Sequence, residues 1–86
     1  MQVRIPTPLR SYTGGEPVVE ADGSTVAALI DDLDRRYPGI RFRVVDEQGR
    51  LRKHVKVFVD QDAVRDLGTP LVAACMVTLM QALSGG

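Results

Sequence analysis

The residues best placed to do chemistry stand at the end of the chain. Ser84-Gly85-Gly86 follows a strand-like run, Cys75-Met76-Val77-Thr78-Leu79-Met80, with no loop or helix between them. Two glycines carry no side chain, so such a segment can lie extended in a narrow channel and let another backbone approach closely. A domain whose final strand runs into a diglycine puts its reactive group at the α-carboxylate of Gly86. The alternative is a frayed, functionless end, since termini are commonly disordered and tolerant of change. Other chemical groups point less sharply. His54 has no Cys, Asp or Glu partner at ligand spacing, so neither a metal nor a catalytic role is expected of it. Gly14-Gly15 falls in a hairpin turn and not ahead of a helix, which argues against a phosphate loop.

Composition narrows the classes. Eighty-six residues are expected to form one domain that buries roughly 60–65% of its unfolded surface. Eleven basic and eleven acidic residues cancel, so no global field recruits nucleic acid or an anionic membrane. Two Phe, two Tyr and no Trp leave few rings for stacking bases. Arg35, Arg36, Arg41, Arg43, Arg50, Arg52, Lys53 and Lys56 form a basic stretch. Asp46 and Glu47 interrupt it and aromatic interleaving is missing, so it reads as a solvated or partner-facing surface and not as an RNA footprint. A single cysteine, Cys75, excludes an internal disulfide framework and fits a reducing cytoplasm. No signal-peptide core and no membrane-spanning stretch is present in the sequence. The expectation is a soluble cytoplasmic domain, monomeric when free, too small to house a large cleft of its own.

The elements that must position Gly86 follow from periodicity. Residues 2–9 begin with Val3 and Ile5 on one face and Gln2 and Arg4 on the other, the period of a half-buried strand. Pro6 and Pro8 cannot donate to a ladder, so the later part of that strand needs a free edge or a bulge. A turn cluster at 11–15 and a second strand at 16–21 complete a hairpin. Ser24 is expected to cap a helix over about 25–37, whose stripe is Val26, Leu29, Ile30, Leu33 and Tyr37. Pro38-Gly39 stops it. Ile40 and Val44 fit one further helical turn, and 46–49 a tight turn. His54 to Val59 alternates with three valines inward and Lys56 and Phe58 outward. A short segment at 63–65 precedes a last strand at about 75–81, with Val77 and Leu79 on one face and Thr78 and Met80 on the other. One helix covers one face of a four- or five-stranded mixed sheet, a two-layer α+β domain. Setting the last strand parallel beside the first lets the crossover be right-handed. That arrangement is a β-grasp, the ubiquitin-like architecture. The expected boundary is a body at 1–83 and a diglycine tail at 84–86.

This layout and its diglycine end resemble the ubiquitin-like sulfur-carrier proteins of the ThiS and MoaD family, and within it the CysO and QbsE branch. Ile5-Pro6-Thr7, Leu9-Arg10 and Thr13-Gly14-Gly15 resemble that branch's opening hairpin, and Leu33 with Tyr37-Pro38-Gly39-Ile40 its helix end. Val55, Val57-Phe58-Val59 and Asp62-Ala63-Val64-Arg65 resemble its central strand and turn. Val77-Thr78-Leu79, Ala82 and Gly85-Gly86 resemble its last strand and tail. Each motif is short; their combination along nearly the whole chain is what is specific. Three positions depart. Ala74-Cys75 stands where members carry a Gly-Asp turn, Gln81 where proline is frequent, and Asp60-Gln61 in place of an Asn-containing turn. None touches the terminal glycines.

The resemblance implies a protein co-substrate and not an enzyme. Gly86 would be adenylated by an ATP-dependent enzyme of the ubiquitin-activating kind and converted by a sulfur donor to a thiocarboxylate, with no cofactor bound to the chain itself. A carboxylate with a pKa of about 3.5 is an anion at neutral pH and a poor electrophile, which is why such activation is needed. Leu83, Ser84 and Gly85 would be read with Gly86 in the partner's channel, the four residues reaching roughly 13 Å when extended. Phe58, Thr78 and Met80 are candidates for a small docking patch on the uncovered sheet face, against the background that scattered exposed apolar residues are ordinary. Cys75 could relay sulfur, but unpaired cysteines are mostly small buried hydrophobes. Downstream the resemblance implies a sulfur-accepting synthase or sulfhydrylase, and it admits a metalloprotease that removes residues after Gly86. Rival readings are a modifier joined to lysines, a MoaD-type small subunit of molybdopterin synthase, and a noncovalent regulatory subunit that uses its sheet face.

Overall fold

The computed structural model describes residues 1–72 and 75–82. Leu83, Ser84, Gly85 and Gly86, and with them the boundary between body and tail, lie outside the described residues, as does Ala74.

Residues Gln2–Arg4 form β1, with Val3 buried between exposed Gln2 and Arg4. The strand is shorter than the 2–9 expected from alternation. Pro6 is extended, at φ −69° and ψ 151°, and Thr7–Thr13 then winds into a 3₁₀ helix with Pro8 in its first turn. Proline has no N–H for a ladder but its fixed φ suits a first helical turn, so the same residues that weaken the strand start the helix. Leu9 carries this helix into the core. Gly14, at φ 64°, ends it in the left-handed region, and the Thr13 hydroxyl holds the exit by donating to the Glu16 carbonyl at 2.8 Å. The chain returns as β2, Val18–Glu20, antiparallel to β1.

Helix α1 spans Val26–Arg36 and buries Val26, Leu29, Ile30 and Leu33, the stripe expected from spacing. Its cap is Thr25 and not Ser24. The Thr25 hydroxyl accepts the Ala28 N–H at 3.2 Å, while the Ser24 carbonyl is engaged by the Leu71 N–H at 2.9 Å. Both side chains suit a cap; contact with the segment before the last strand sets the register one residue later. Gly23 packs so tightly beneath α1 that a β-carbon there would lie 2.3 Å from the Leu29 nitrogen. Asp32, with its side chain 9% exposed, accepts the Asp22 N–H at 2.9 Å and pairs with Arg36 at 2.9 Å and with Arg35. These bonds pin the end of the hairpin to α1. Gly39, at φ 99°, swings the chain into α2, Ile40–Val44, which buries Ile40 and Val44.

Three strands follow: β3, Val55–Val59; β4, Asp62–Val64; and β5, Met76–Gln81. The sheet order is β2-β1-β5-β3-β4, with β5 parallel to β1 and antiparallel to β3. Both helices and the 3₁₀ helix pack on one face, over Val3, Val19, Val55, Val57, Val77 and Leu79. Cys75 joins that core, its Sγ 3.8 Å from the Met1 sulfur. The other face is open. A single register row crosses it through Val18, Arg4, Thr78, Phe58 and Ala63.

Leu33 is 1% exposed, so Leu33→Ala should lower the unfolding free energy by about 2–5 kcal/mol, measured by urea denaturation. Asp32 supplies a pH signature. The Asp22 N–H, above all, and then Arg35 and Arg36 hold its carboxyl at about 2 against an ordinary 3.8, although desolvation pulls the other way. A depressed folded-state pKa gives stability that is complete above the unfolded value and disappears as the pH falls through the folded one. Between about pH 4 and about pH 2 the urea midpoint of the wild type should therefore fall more steeply than that of Asp32→Asn.

Candidate functional site

Strand β5 carries the chain toward Gly86, and its two flanks are unequal. On one side its pairing with β1 covers Met76 to Thr78 and stops. On the other, pairing with β3 continues to Gln81 opposite Val55, and the Ala82 N–H then donates to the His54 carbonyl at 2.8 Å. Leu79, Met80 and Gln81 thus run three residues past the end of the β1 ladder. Once Arg4 is passed, the first strand has already turned through Pro6 into the 3₁₀ helix.

A groove of about 530 Å³ fills the place a longer first strand would occupy. Pro6, Thr7 and Pro8 form one wall and Thr78 to Gln81 the other, with Arg4 and Arg10 at the rim. Arg10 is folded back, its Nε donating to the Ile5 carbonyl at 3.1 Å. The groove is bounded on one side by backbone that leads directly to Leu83.

The three residues expected to form a docking patch share the open face. Met80 is 50% exposed, and Thr78 and Phe58 are half-buried. They adjoin one another: Thr78 stands opposite Phe58 and two residues before Met80, which has Lys56 opposite it. Met80 and Phe58 are therefore diagonal neighbours, a spacing of roughly 7–8 Å between backbones that long side chains still bridge. Exposed cations, Arg4 on β1 and Lys56 on β3, flank the Thr78 and Met80 side of β5 on this face.

On the helix side of the same strand end lies a second concavity, between α2 and the start of β3. Of its lining, Arg43 and Arg52 belong to the basic stretch of the sequence, and Glu47 to the acidic pair that interrupts it. What the sequence reading missed was Phe42, which is 56% exposed on a helix whose other apolar residues, Ile40 and Val44, are buried. The signal was an aromatic residue out of phase with the Ile40–Val44 stripe. Gln81 closes this cleft, because it follows Val77 and Leu79 on the inward face of β5.

Cys75 is buried and Gly86, Gly85, Ser84 and Leu83 lie beyond the described residues, so the described part of the site is the launch point of the tail. Among the described residues no three His, Cys, Asp or Glu side chains gather as a metal site, and no helix is long and apolar enough to cross a membrane. Chemically, the arrangement can hold a strand end rigid on one flank while offering grooves on both faces to another protein.

Comparison with known proteins converges on one family. The sulfur carrier protein CysO of Mycobacterium tuberculosis is 39% identical over 89 residues, covering 98% of this chain and 96% of that protein. A crystal structure of a BexX/CysO complex from Amycolatopsis orientalis holds a chain that superposes with a TM-score of 0.91 at 40% identity, covering 99% of this chain and 98% of that one. SAMP1 from Haloferax volcanii superposes with a TM-score of 0.81 at 28% identity, covering 100% and 98%. The five-stranded mixed sheet with its covering helices is thus the ubiquitin-like β-grasp that the sequence pattern led us to expect. The ThiS family model matches residues 3–86, through both terminal glycines, and the chain belongs to the ThiS family.

Proposed function

We propose that this chain is a sulfur carrier, a protein co-substrate whose reacting group is the carboxylate of Gly86. The observation that carries the reading is the family match, which runs unbroken to Gly86 and is joined by 39% identity to a protein named as a sulfur carrier. A carboxylate oxygen of Gly86 attacks the α-phosphorus of ATP held by an activating enzyme, and pyrophosphate leaves. Hydrosulfide supplied by a sulfur donor then attacks the acyl carbon, the C–O bond to phosphate breaks, AMP departs, and loss of the S–H proton leaves a thiocarboxylate. That group is a soft nucleophile and passes its sulfur to a sulfur-accepting synthase or sulfhydrylase making cysteine, a secondary metabolite or a cofactor. ATP is consumed by the partner; this chain supplies the electrophile and its presentation. Phe58, Thr78 and Met80 on the open face, with the groove beside β5, provide the surface on which the activating enzyme rests while Leu83 to Gly86 enter its site.

A second reading keeps the same activation and changes the acceptor. Its support is the superposition on SAMP1, named as a small archaeal modifier protein. In that reading a lysine amine attacks the activated Gly86 and the product is an isopeptide.

Intact-mass analysis after incubation with the activating enzyme of the source organism, ATP and sulfide separates these outcomes. A carrier gains the mass difference between sulfur and oxygen; deletion of Gly85-Gly86 abolishes the gain, and Met80→Asp slows it. No gain, or a gain that survives the deletion, removes the carrier reading. Heavier, thiol-resistant conjugates on an immunoblot of the native lysate would favour the modifier.

A further inference from the structure

The cations of the segment from Arg41 to His54 are not equivalent. The acidic face of α1 is already occupied by local partners: Asp31 by Arg41 at 2.9 Å, Asp32 by Arg35 and Arg36, and Asp34 by the N–H groups of Gly39 and Arg41. Asp46 is likewise committed, accepting the N–H groups of Gln48 and Arg50 at 2.9 and 3.0 Å. Arg43, Arg52 and Lys53 form no ion pair among the described residues. Arg43 and Arg52 thus bring two guanidinium groups without an ion pair among the described residues to the cleft beside the root of the tail, where Glu47 is the one carboxylate of the lining.

That cleft, of about 360 Å³, is lined by Phe42, Arg43, Glu47, Arg52, His54 and Gln81, together with Val55. Arg52 is fixed within it. Its backbone N–H donates to the Val44 carbonyl at 2.9 Å, its Nε donates to the Phe42 carbonyl at 2.6 Å, and its guanidinium carbon stands 4.7 Å from the Phe42 ring centroid. With Nε engaged, the two Nη groups remain as an end-on fork for a carboxylate. Stacking on the ring removes rotamer freedom before any partner arrives, so less is lost on binding. Exposed aromatic and arginine residues are the types that dominate interface energetics.

We propose that the Phe42–Arg52 cleft, with Arg43 on its rim, is a recognition surface for an acidic protein surface, the Asp- and Glu-bearing mouth of the activating enzyme that receives the tail. The inference rests on the carrier reading above and extends it to the opposite side of β5. Continuity with the tail argues for this occupant. Ala82 is bonded to His54 on the cleft's edge, and a protein that encloses the next four residues, at most roughly 13 Å of chain, must bring its own surface against Arg52 and Arg43. One phenyl ring, already covered by the Arg52 guanidinium, is a poor platform for stacked bases, which disfavours single-stranded nucleic acid.

The test measures pyrophosphate release by the source organism's activating enzyme as the concentration of this chain is varied, at low and at physiological salt. Arg52→Glu and Arg43→Glu should each raise the KM for the carrier about tenfold, leave kcat unchanged and flatten the salt dependence. Arg65→Glu, an equal change of net charge at an exposed cation outside the cleft, should change nothing. Arg43 makes no side-chain hydrogen bond among the described residues, so Arg43→Glu reports even where Arg52→Glu disturbs the fold. A KM within about twofold of wild type for both variants, or an equal rise for Arg65→Glu, overturns the proposal. So does binding of a fluorescent single-stranded RNA that Arg52→Glu abolishes. Pyrophosphate release that is absent, or that persists after deletion of Gly85-Gly86, instead removes the carrier reading itself.

Discussion

Where the hydrogen-bonding of β5 stops on each side decides how the chain leaves the fold. The β1 ladder ends at Thr78, whereas the β3 ladder and its last bond to His54 hold the strand to Ala82. The cause lies far away in sequence. Pro6 cannot extend the first ladder and Pro8 starts a 3₁₀ helix, so the first strand curls away and leaves one flank of Leu79, Met80 and Gln81 uncovered. A longer first strand would have buried that flank and filled the groove. The strand is therefore anchored well enough to have a fixed direction and is open enough for another protein to reach its final residues.

The charge pattern serves the same geometry. Exposed ion pairs such as Arg41 with Asp31 add little to stability. Their consequence here is spatial, because they occupy the carboxylates of α1, so that Arg43 and Arg52 beside the strand end have only Asp46 and Glu47 of the following turn near them. Whatever field these guanidinium groups keep fades within about a Debye length, roughly 8 Å at physiological salt. A field of that range matters only to a surface that comes into contact, as a tail-receiving protein must.

The strongly periodic parts could be read from the residues. The α1 stripe and the alternation of β3 and β5 follow from which side chains can share a core, and the parallel placement of β5 beside β1 from the handedness of the crossover. The misread features depend on contacts between distant segments. Ser24 and Thr25 are equally good caps until Leu71 takes the Ser24 carbonyl. Residues 2–9 begin with the alternation of a strand, yet two prolines and the burial of Leu9 turn the part from Thr7 onward into a 3₁₀ helix. The cleft of Phe42 and Arg52 joins residues from α2, the turn beyond it and β5, a meeting that no local pattern announces.

Under the proposed reading, selectivity cannot reside in the reacting group. Every protein chain ends in a carboxylate, and two glycines add only the absence of side chains, so Gly85-Gly86 tells a partner where a tail will fit and little about whose tail it is. A channel narrow enough to exclude side chains rejects most termini but admits any diglycine. Discrimination between β-grasp proteins with the same ending must come from surfaces that stay outside the channel. On this chain those surfaces lie on both sides of β5: an apolar and cationic sheet face around Met80, and an aromatic-cationic cleft around Arg52. A protein that reads only one of them would accept many relatives, whereas one that closes on both senses the spacing across a single strand, which the ladder to β3 holds rigid.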